Sequence, residues 1–521
     1  MDFLKEISPR LYQEKIFETC SRKNCLVVLP TGLGKTLIAL MLTIHRMKEF
    51  PGEKVLFLAP TKPLAEQHLQ TFKKHLPELF AEMTLFTGAV NAANRQKLWQ
   101  NSDIIFSTPQ CVANDLNKGL YNLSDVCLLV EDEAHRCVRN YDYNLVAQKY
   151  YSQAKNKRII GMTASPGNDI AKIKEICKNL FIEDVELRTR DSDDVKEYLQ
   201  ELEFQKVPVT FPPEFEEIKH VLLKLFDRYI EELRKRSVLF GPANKASLIM
   251  LQKKIAGTIS RGNKNFNYLL GASACAQAIK LQHALELLET QTLKAFNTYL
   301  KKLFQEAANQ KSRGVVRLVS NPEFNFMFMS SNELLAKGKE HPKIAQIVEI
   351  VRKEKSENPG LKVIVFTQFR NTAADVSKVL NEIEGITAKV FVGQAKRAGD
   401  KENTGLTQEQ QKKIIQEFSD GEINVLCATC IAEEGLDIPE VNAVIFYEPV
   451  PSAIRAIQRT GRTARLMPGK LIMLITKKTR DETSYYVSRS REKKMHKAID
   501  IIKQEFSNKE TEIKSEQKKL F

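Results

Sequence analysis

The stretch Leu26–Thr36 reads LVVLPTGLGKT. An apolar run ends at Leu29, a turn carrying Gly32 and Gly34 follows, and Lys35-Thr36 opens a segment in which Leu37, Ile38, Leu40, Met41 and Ile44 recur at helical spacing. Strand, glycine turn, Lys-Thr and helix in that order make a phosphate cradle, because the N–H groups of a helix N-terminus point at phosphate oxygens. The loop residues Pro30, Thr31, Gly32, Leu33 and Gly34 would line the nucleotide, Lys35 would reach the β- and γ-phosphates, and the Thr36 hydroxyl would ligate magnesium. The general pattern places a further glycine five residues before the Gly-Lys pair. That position is Leu29, which reads as the last buried residue of the strand.

A phosphate loop needs a carboxylate for the metal at the end of a neighbouring strand. LLVEDEAH supplies it: Asp132 follows an apolar run and is placed to hold magnesium, while Glu133 orients or deprotonates the attacking water. Hydrolysis also accelerates when a cation meets the charge that develops on the γ-phosphate. Late in the chain, QRTGRTAR sets Arg462 and Arg465 three apart, on one face if helical. Their surroundings contain no Gly-Lys-Thr loop, so donation of arginines across a cleft accounts for them best.

Around these motifs, short β-branched runs alternate with helical patterns, which means parallel β-α-β units. The first set comprises CLVVL (25–29), KVLFLA (54–59), DIIFS (103–107), VCLLVE (126–131) and RIIGMT (158–163). The second comprises KVIVFT (362–367), AKVFVG (388–393), NVLCAT (424–429), NAVIFY (442–447) and KLIMLIT (470–476). From about Glu214 to Leu335 strand runs disappear and helical periodicity takes over, as in IKHVLLKLFDRYIEEL. The expected organisation is an α/β domain over 1–205, a helical insert over 206–338, a second α/β domain over 339–485, and a C-terminal helix fading into a charged linker over 486–521.

A chain of 521 residues is too long for one core, and 43% apolar residues fits globular folding. No basic-then-apolar leader opens the sequence, and the longest apolar run, Leu37–Ile44, is far shorter than a membrane span of roughly 20 residues. The expected setting is soluble and intracellular, cytoplasmic or at the nucleoid. Nine cysteines are ordinary usage, and Cys427-x-x-Cys430 lacks the second pair or histidine that a zinc site needs. A formal charge of +15 points to a polyanion. The charge concentrates in the insert: Leu233–Leu285 contains no Asp or Glu, yet holds nine Lys and Arg, among them Arg234, Lys235, Arg236, Lys253 and Lys254. That segment reads as a surface that tracks phosphates.

The ordered motifs resemble the superfamily 2 helicases. RLYQ, with Arg10 and Gln13, looks like the adenine-reading segment; PTGLGKT, APTKPLAEQH, STPQ, DEAH and TAS (Thr163–Ser165) match motifs I, Ia, Ib, II and III. VFTQFR, ATCIAEEGLDIP and QRTGRTAR match motifs IV, V and VI. The resemblance implies two RecA-like parallel-sheet domains. It further implies backbone contacts to nucleic acid from Thr61, Lys62, Thr108, Thr367, Gln368 and Thr429, nucleotide contacts from Gly435 and Asp437, a γ-phosphate or water contact from Gln458, and coupling through Thr163 and Ser165.

The long insert, the loop GQAKRAGDKENTGLTQEQQKKIIQEF and the AEEGLDIP form of motif V are most similar to the archaeal helicase-nuclease Hef and its Fanconi M-type and Mph-type relatives. That likeness implies an ATP- and Mg2+-dependent motor acting on branched or forked DNA, with replication or repair proteins as partners. Hef-type proteins carry a downstream nuclease with a Glu-Arg-Lys signature, and no such run occurs before Phe521, so the expectation is an isolated motor portion or a member without the nuclease. Two other readings stand beside it: an RNA-directed translocase of the same superfamily, and a nucleic-acid-binding scaffold without catalysis.

Overall fold

The computed structural model describes residues 3–139, 141–261, 266–310, 312–393, 405–429, 438–450 and 469–519. Among these residues thirteen strands run Cys25–Val28 (β1), Lys54–Leu58 (β2), Met83–Phe86 (β3), Ile104–Ser107 (β4), Val126–Asp132 (β5), Ile159–Thr163 (β6), Asp184–Leu187 (β7), Leu202–Val209 (β8), Val363–Phe366 (β9), Ala388–Phe391 (β10), Val425–Ala428 (β11), Ala443–Phe446 (β12) and Gly469–Thr476 (β13). They form two sheets, β3-β4-β2-β5-β6-β1-β7 and β10-β11-β9-β12-β13-β8. Neighbours pair in parallel throughout, as in Leu26 opposite Gly161 and Val365 opposite Ile445.

The central strands are buried on both faces, with β1, β2, β4, β5 and β6 wholly so. That is why they read as unbroken apolar runs rather than as alternation. All ten strands expected from the sequence are present to within two residues at each end. The three additional strands, β3, β7 and β8, all lie at sheet edges. The boundary expected at residue 205 falls inside β8, which pairs along its whole length with β13, from Leu202 opposite Gly469 to Val209 opposite Thr476. This strand therefore belongs to the second sheet, although it precedes the insert in the chain.

Among the described residues the insert's regular structure is helical, from Pro213–Lys235 through Lys245–Ser260, Phe266–Thr290, Leu293–Ala308 and Arg313–Val319 to Pro322–Ala336. Its apolar faces close on a core holding Leu222, Leu225, Leu281, Phe296, Leu300, Phe324 and Met327. Its base is fastened to the second sheet's domain by buried polar contacts. Lys343, wholly buried, meets Asp481 at 2.6 Å and donates to the Thr290 carbonyl at 3.1 Å. Glu289 pairs with Lys219 and Arg480, and Thr372 donates to the Gln291 side chain.

The last helix spans Arg480–Lys519, where a linker was expected after one helical segment. Its few apolar residues follow helical spacing: Met495, Ala498, Ile499 and Ile502 share one face, buried against Ile173, Ile176, Leu180 and Val185 of the first domain. Rooted beside β13 in the second domain, this helix crosses to the first. No helix among the described residues is long and apolar enough to cross a membrane.

Candidate nucleotide and nucleic-acid sites

The loop Pro30–Gly34 leaves the C-terminal end of β1. Leu29 is fully buried and its N–H donates to the Thr163 carbonyl at 3.0 Å, continuing the β1–β6 ladder. Its own carbonyl accepts Lys35 Nζ at 2.8 Å. The residue that breaks the general spacing is thus the last one held by the sheet. The turn is made by Gly32 and Gly34, at φ +89° and +76°, in the left-handed region that glycine enters without strain. Gly34 is required for a second reason, since a Cβ there would collide with the Gln13 amide. That amide donates to the Leu33 carbonyl at 3.1 Å, while Gln13 Oε1 accepts the Arg10 N–H at 2.9 Å. Tyr12, to which the sequence reading gave no role, donates its hydroxyl to the same Leu33 carbonyl at 2.9 Å. The Arg10 guanidinium lies 5.2 Å from the centre of the Tyr198 ring.

Asp132 ends β5, two strands from β1 in the sheet. Its Oδ2 lies 2.8 Å from His68 Nε2, and His68 Nδ1 lies 3.5 Å from the Thr36 hydroxyl. Both expected magnesium ligands thus touch one imidazole. Burial pushes the Asp132 carboxyl up, but the His68 hydrogen bond and the charge of Lys35 outweigh it and hold the group below its ordinary value. Its backbone carbonyl accepts the buried Tyr143 hydroxyl at 2.7 Å. One residue earlier, Glu131 is sealed beneath the site with the Cys137 thiol donating to it at 3.0 Å, and burial raises its carboxyl to about 8.

Glu133 sits at φ +54°, an uncommon conformation for a residue with a Cβ and one that clusters at active sites. Its Oε2 lies 3.1 Å from His135 Nδ1, which is also 3.2 Å from the Thr163 hydroxyl. Thr163 in turn accepts the Ser165 N–H at 3.1 Å, and the Ser165 hydroxyl meets the Met495 sulfur at 2.8 Å. The DEAH and TAS segments, and through them the C-terminal helix, are therefore in physical contact.

The residues expected at nucleic acid also lie just beyond C-terminal strand ends, but over other strands. Thr61 and Thr108 follow β2 and its neighbour β4, and Thr367 and Thr429 follow β9 and its neighbour β11. Thr61 and Lys62 are exposed and Thr108 is half-buried, whereas Thr367 and Thr429 are buried and Gln368 is exposed. Neither Thr61 nor Thr108 makes a side-chain cap to the helix it begins. In the insert, Arg234, Lys235, Lys253 and Lys254 are exposed. Arg236 is instead held by Glu232 at 3.0 Å, just upstream of the acid-free segment. Lys245 and Lys280 likewise pair with Glu286 and Glu306 beyond it.

Gln458, Arg462, Arg465, Gly435, Asp437 and Cys430 lie outside the described residues. Cys427 is a buried free thiol, and no group of three or more His, Cys, Asp or Glu that could hold a metal occurs among the described residues. A cavity of about 820 Å3 opens between the domains, bordered by Pro30, Ala164, Arg188, Phe446, Pro449 and Arg489; Lys35 and Asp132 are not among its lining residues.

Two parallel sheets, with a glycine-turn loop before Lys35-Thr36 and an Asp-Glu pair on the first and strand-end threonines on both, are the arrangement of a two-domain helicase core. A DEAD/DEAH box helicase model matches residues 10–173, a helicase conserved C-terminal domain model 342–467, and a helical-bundle model of ATP-dependent RNA helicases 214–336. The crystal structure of the Pyrococcus furiosus Hef helicase domain superimposes with a TM-score of 0.71 at 41% identity, covering 94% of this chain and 100% of that one. The chain belongs to the superfamily 2 helicases, in the family of the Hef helicase domain. A Methanocaldococcus jannaschii protein bearing an ATP-dependent RNA helicase name is 36% identical over 95% of the chain, which spans 61% of that protein. The Mus musculus Fanconi anemia group M protein homolog is 31% identical over 94% of the chain, which spans 26% of it. The Schizosaccharomyces pombe ATP-dependent DNA helicase fml1 is 30% identical over 90% of the chain, which spans 57% of it.

Proposed function

We propose that the chain is an ATP-dependent DNA translocase or helicase acting on branched DNA such as forks and junctions, in DNA repair or fork restart inside the cell. The observation that carries this reading is the division of labour along each sheet. The residues proposed for the nucleotide follow β1 and end β5, with the coupling residues Thr163 and Ser165 at the end of β6, while the threonines proposed to grip the strand follow β2, β4, β9 and β11, so one closing motion moves both sets. Open sheets of this kind bind ligands outside the carboxyl ends of their strands.

In this mechanism ATP sits between the two α/β domains, with Gln13 and Arg10 reading the base and the loop Pro30–Thr36 holding the phosphates. The Asp132 carboxylate and Thr36 hydroxyl form a hard oxygen pair that suits Mg2+, and the metal would neutralise charge on the phosphates. Glu133, fixed in its strained conformation, positions the water, and Arg462, Arg465 and Gln458 complete the site from the second domain. Closure shifts Thr61, Lys62 and Thr108 relative to Thr367, Gln368 and Thr429, and reopening after hydrolysis ratchets the strand. The insert, polar-locked to the second domain, carries Arg234, Lys235, Lys253 and Lys254 toward the duplex arm. Domains over 1–205, 206–338 and 339–485, with β8 assigned to the second sheet, describe this division.

The relatives' names include both RNA and DNA helicases, and backbone contacts do not distinguish the sugars unless the 2′-hydroxyl is read. DNA is favoured because relatives named for Fanconi anemia group M and for the DNA helicase fml1 align over 94% and 90% of the chain. ATP turnover with forked DNA and with duplex RNA of equal length tests the choice. Stronger stimulation by the fork is expected, and stronger stimulation by RNA would overturn it.

A further inference from the structure

We infer that His68 is a positioning residue that couples the strand-facing end of the helix Lys62–His75 to the metal-binding oxygens of the ATP site. This rests on the motor reading above. The helix begins at the exposed Thr61 and Lys62 with an uncapped N-terminus, and its second turn carries His68 inward. The His68 side chain is only 7% exposed and its ring lies 4.5 Å from that of Phe57 on β2, so the ring is packed in place. At that position it touches Asp132 on β5 and Thr36 after β1, two groups that reach it from different strands.

The hydrogen-bond directions follow from the chemistry of the partners. An ionised carboxylate only accepts, so His68 Nε2 carries the proton in the 2.8 Å contact with Asp132 Oδ2. In the neutral ring Nδ1 is then an acceptor, and the Thr36 hydroxyl turns its proton toward it. One imidazole thus fixes the Asp132 carboxylate and leaves the lone pairs of the Thr36 oxygen for a cation. Outer partners of this kind orient the groups that hold a metal, and their loss commonly costs about 10- to 100-fold in metal affinity or activity.

Lys62 and His68 ride on one helix, about 9 Å apart along its axis at 1.5 Å per residue. A strand that draws the helix N-terminus toward its phosphates therefore moves the imidazole against Asp132 and Thr36. Glu66, between them, also meets Lys412 of the second domain at 3.0 Å, so the helix senses both the strand and the opposite domain.

The test uses the whole chain with His68→Leu and His68→Gln and has two readouts. The first is the Mg2+ concentration that half-saturates tight binding of a fluorescent ADP, measured without DNA or turnover. The second is the ratio of fork-stimulated to basal ATPase. His68→Leu, which keeps the packing on Phe57, is expected to raise the Mg2+ requirement by about tenfold or more and to bring the stimulation ratio close to one, with fork affinity unchanged. His68→Gln, whose amide both donates and accepts, should restore part of each. A His68→Leu protein of wild-type thermal stability with wild-type Mg2+ dependence, or with the wild-type stimulation ratio, overturns the inference. If the wild-type chain shows no fork stimulation, the motor reading fails, and the Mg2+ readout still decides whether His68 positions the metal oxygens.

Discussion

The Leu29 carbonyl, the Gly34 backbone and the Glu133 carboxylate each show a residue chosen for its place rather than its composition. Lys35 donates to the Leu29 carbonyl, and in the proposed site it would exchange that acceptor for a phosphate oxygen. Replacing Lys35 by Ala or Glu133 by Gln is expected to lower ATP turnover at least about 10²-fold, the usual cost of removing one stabiliser of developing charge; unchanged turnover in steady-state assays would leave the scaffold reading standing. Gly34→Ala should act differently, because a methyl at φ +76° meets the Gln13 amide. Strain of about 1–3 kcal/mol for a forced backbone conformation predicts a lower melting temperature together with weaker adenine-nucleotide binding. Much of this site was legible in the sequence, since Lys35, Thr36, Asp132 and Glu133 sit in short local patterns whose chemistry is self-contained. His68 and Tyr12 were not. Each stands inside a recognised motif, but its role depends on a partner that only the sheet order brings near, and for His68 that partner is 64 residues away.

At the scale of elements, the strands that could be read were those whose burial leaves a continuous apolar signal. Three of the four edge strands of the described sheets, β3, β7 and β8, could not. MTLF and DVEL are only four residues long, and LEFQKVPV is mostly exposed, contains a proline, and pairs with a strand on the far side of the insert. The insert's helical character was equally plain, and acids outside the acid-free window pair with Arg236, Lys245 and Lys280, which leaves Arg234, Lys235, Lys253 and Lys254 as the exposed cations of the proposed face. Neutralising Arg234, Lys235, Lys253 and Lys254 together should weaken fork binding and flatten its salt dependence while basal ATPase survives; equal affinity and slope in a salt titration would return that face to an ordinary solvated one. The Lys245–Glu286 pair should instead matter for stability. Glu286 is pulled down to about 2: burial raises it, but the His283 and Lys245 contacts outweigh that. Its unfolded form binds a proton first, so the stability it contributes is full above about pH 4.5 and is lost as pH falls toward 2. Lys245→Met should therefore melt earlier than wild type at pH 7, with the gap closing over that acid window.

Taken as a whole, the molecule is tied together by polar locks at one joint and an apolar strap across another. The insert and second domain meet through Lys343–Asp481 and Glu289 with Lys219 and Arg480, and removing one partner of a buried pair typically costs about 3–5 kcal/mol. They should therefore move as one body. Only the C-terminal helix links that body to the first domain by a buried apolar face among the described elements, and its use of Met495, Ile499 and Ile502 could not be foreseen from a segment rich in Lys and Glu. Each such side chain contributes about 1.5–3 kcal/mol when fully buried, enough to hold the helix down without making the joint rigid. Deleting residues 495–521 keeps Asp481 beside Lys343 and both sheets intact, but strips the cover from Ile173, Ile176 and Leu180 and takes Met495 from Ser165. The expected result is a larger radius of gyration by small-angle scattering in the nucleotide-free state and weaker coupling of ATP turnover to DNA, with Trp99 fluorescence reporting an unchanged first domain. A truncated chain with the wild-type scattering profile and wild-type stimulation by DNA would show that the helix covers the first domain without restraining the cleft.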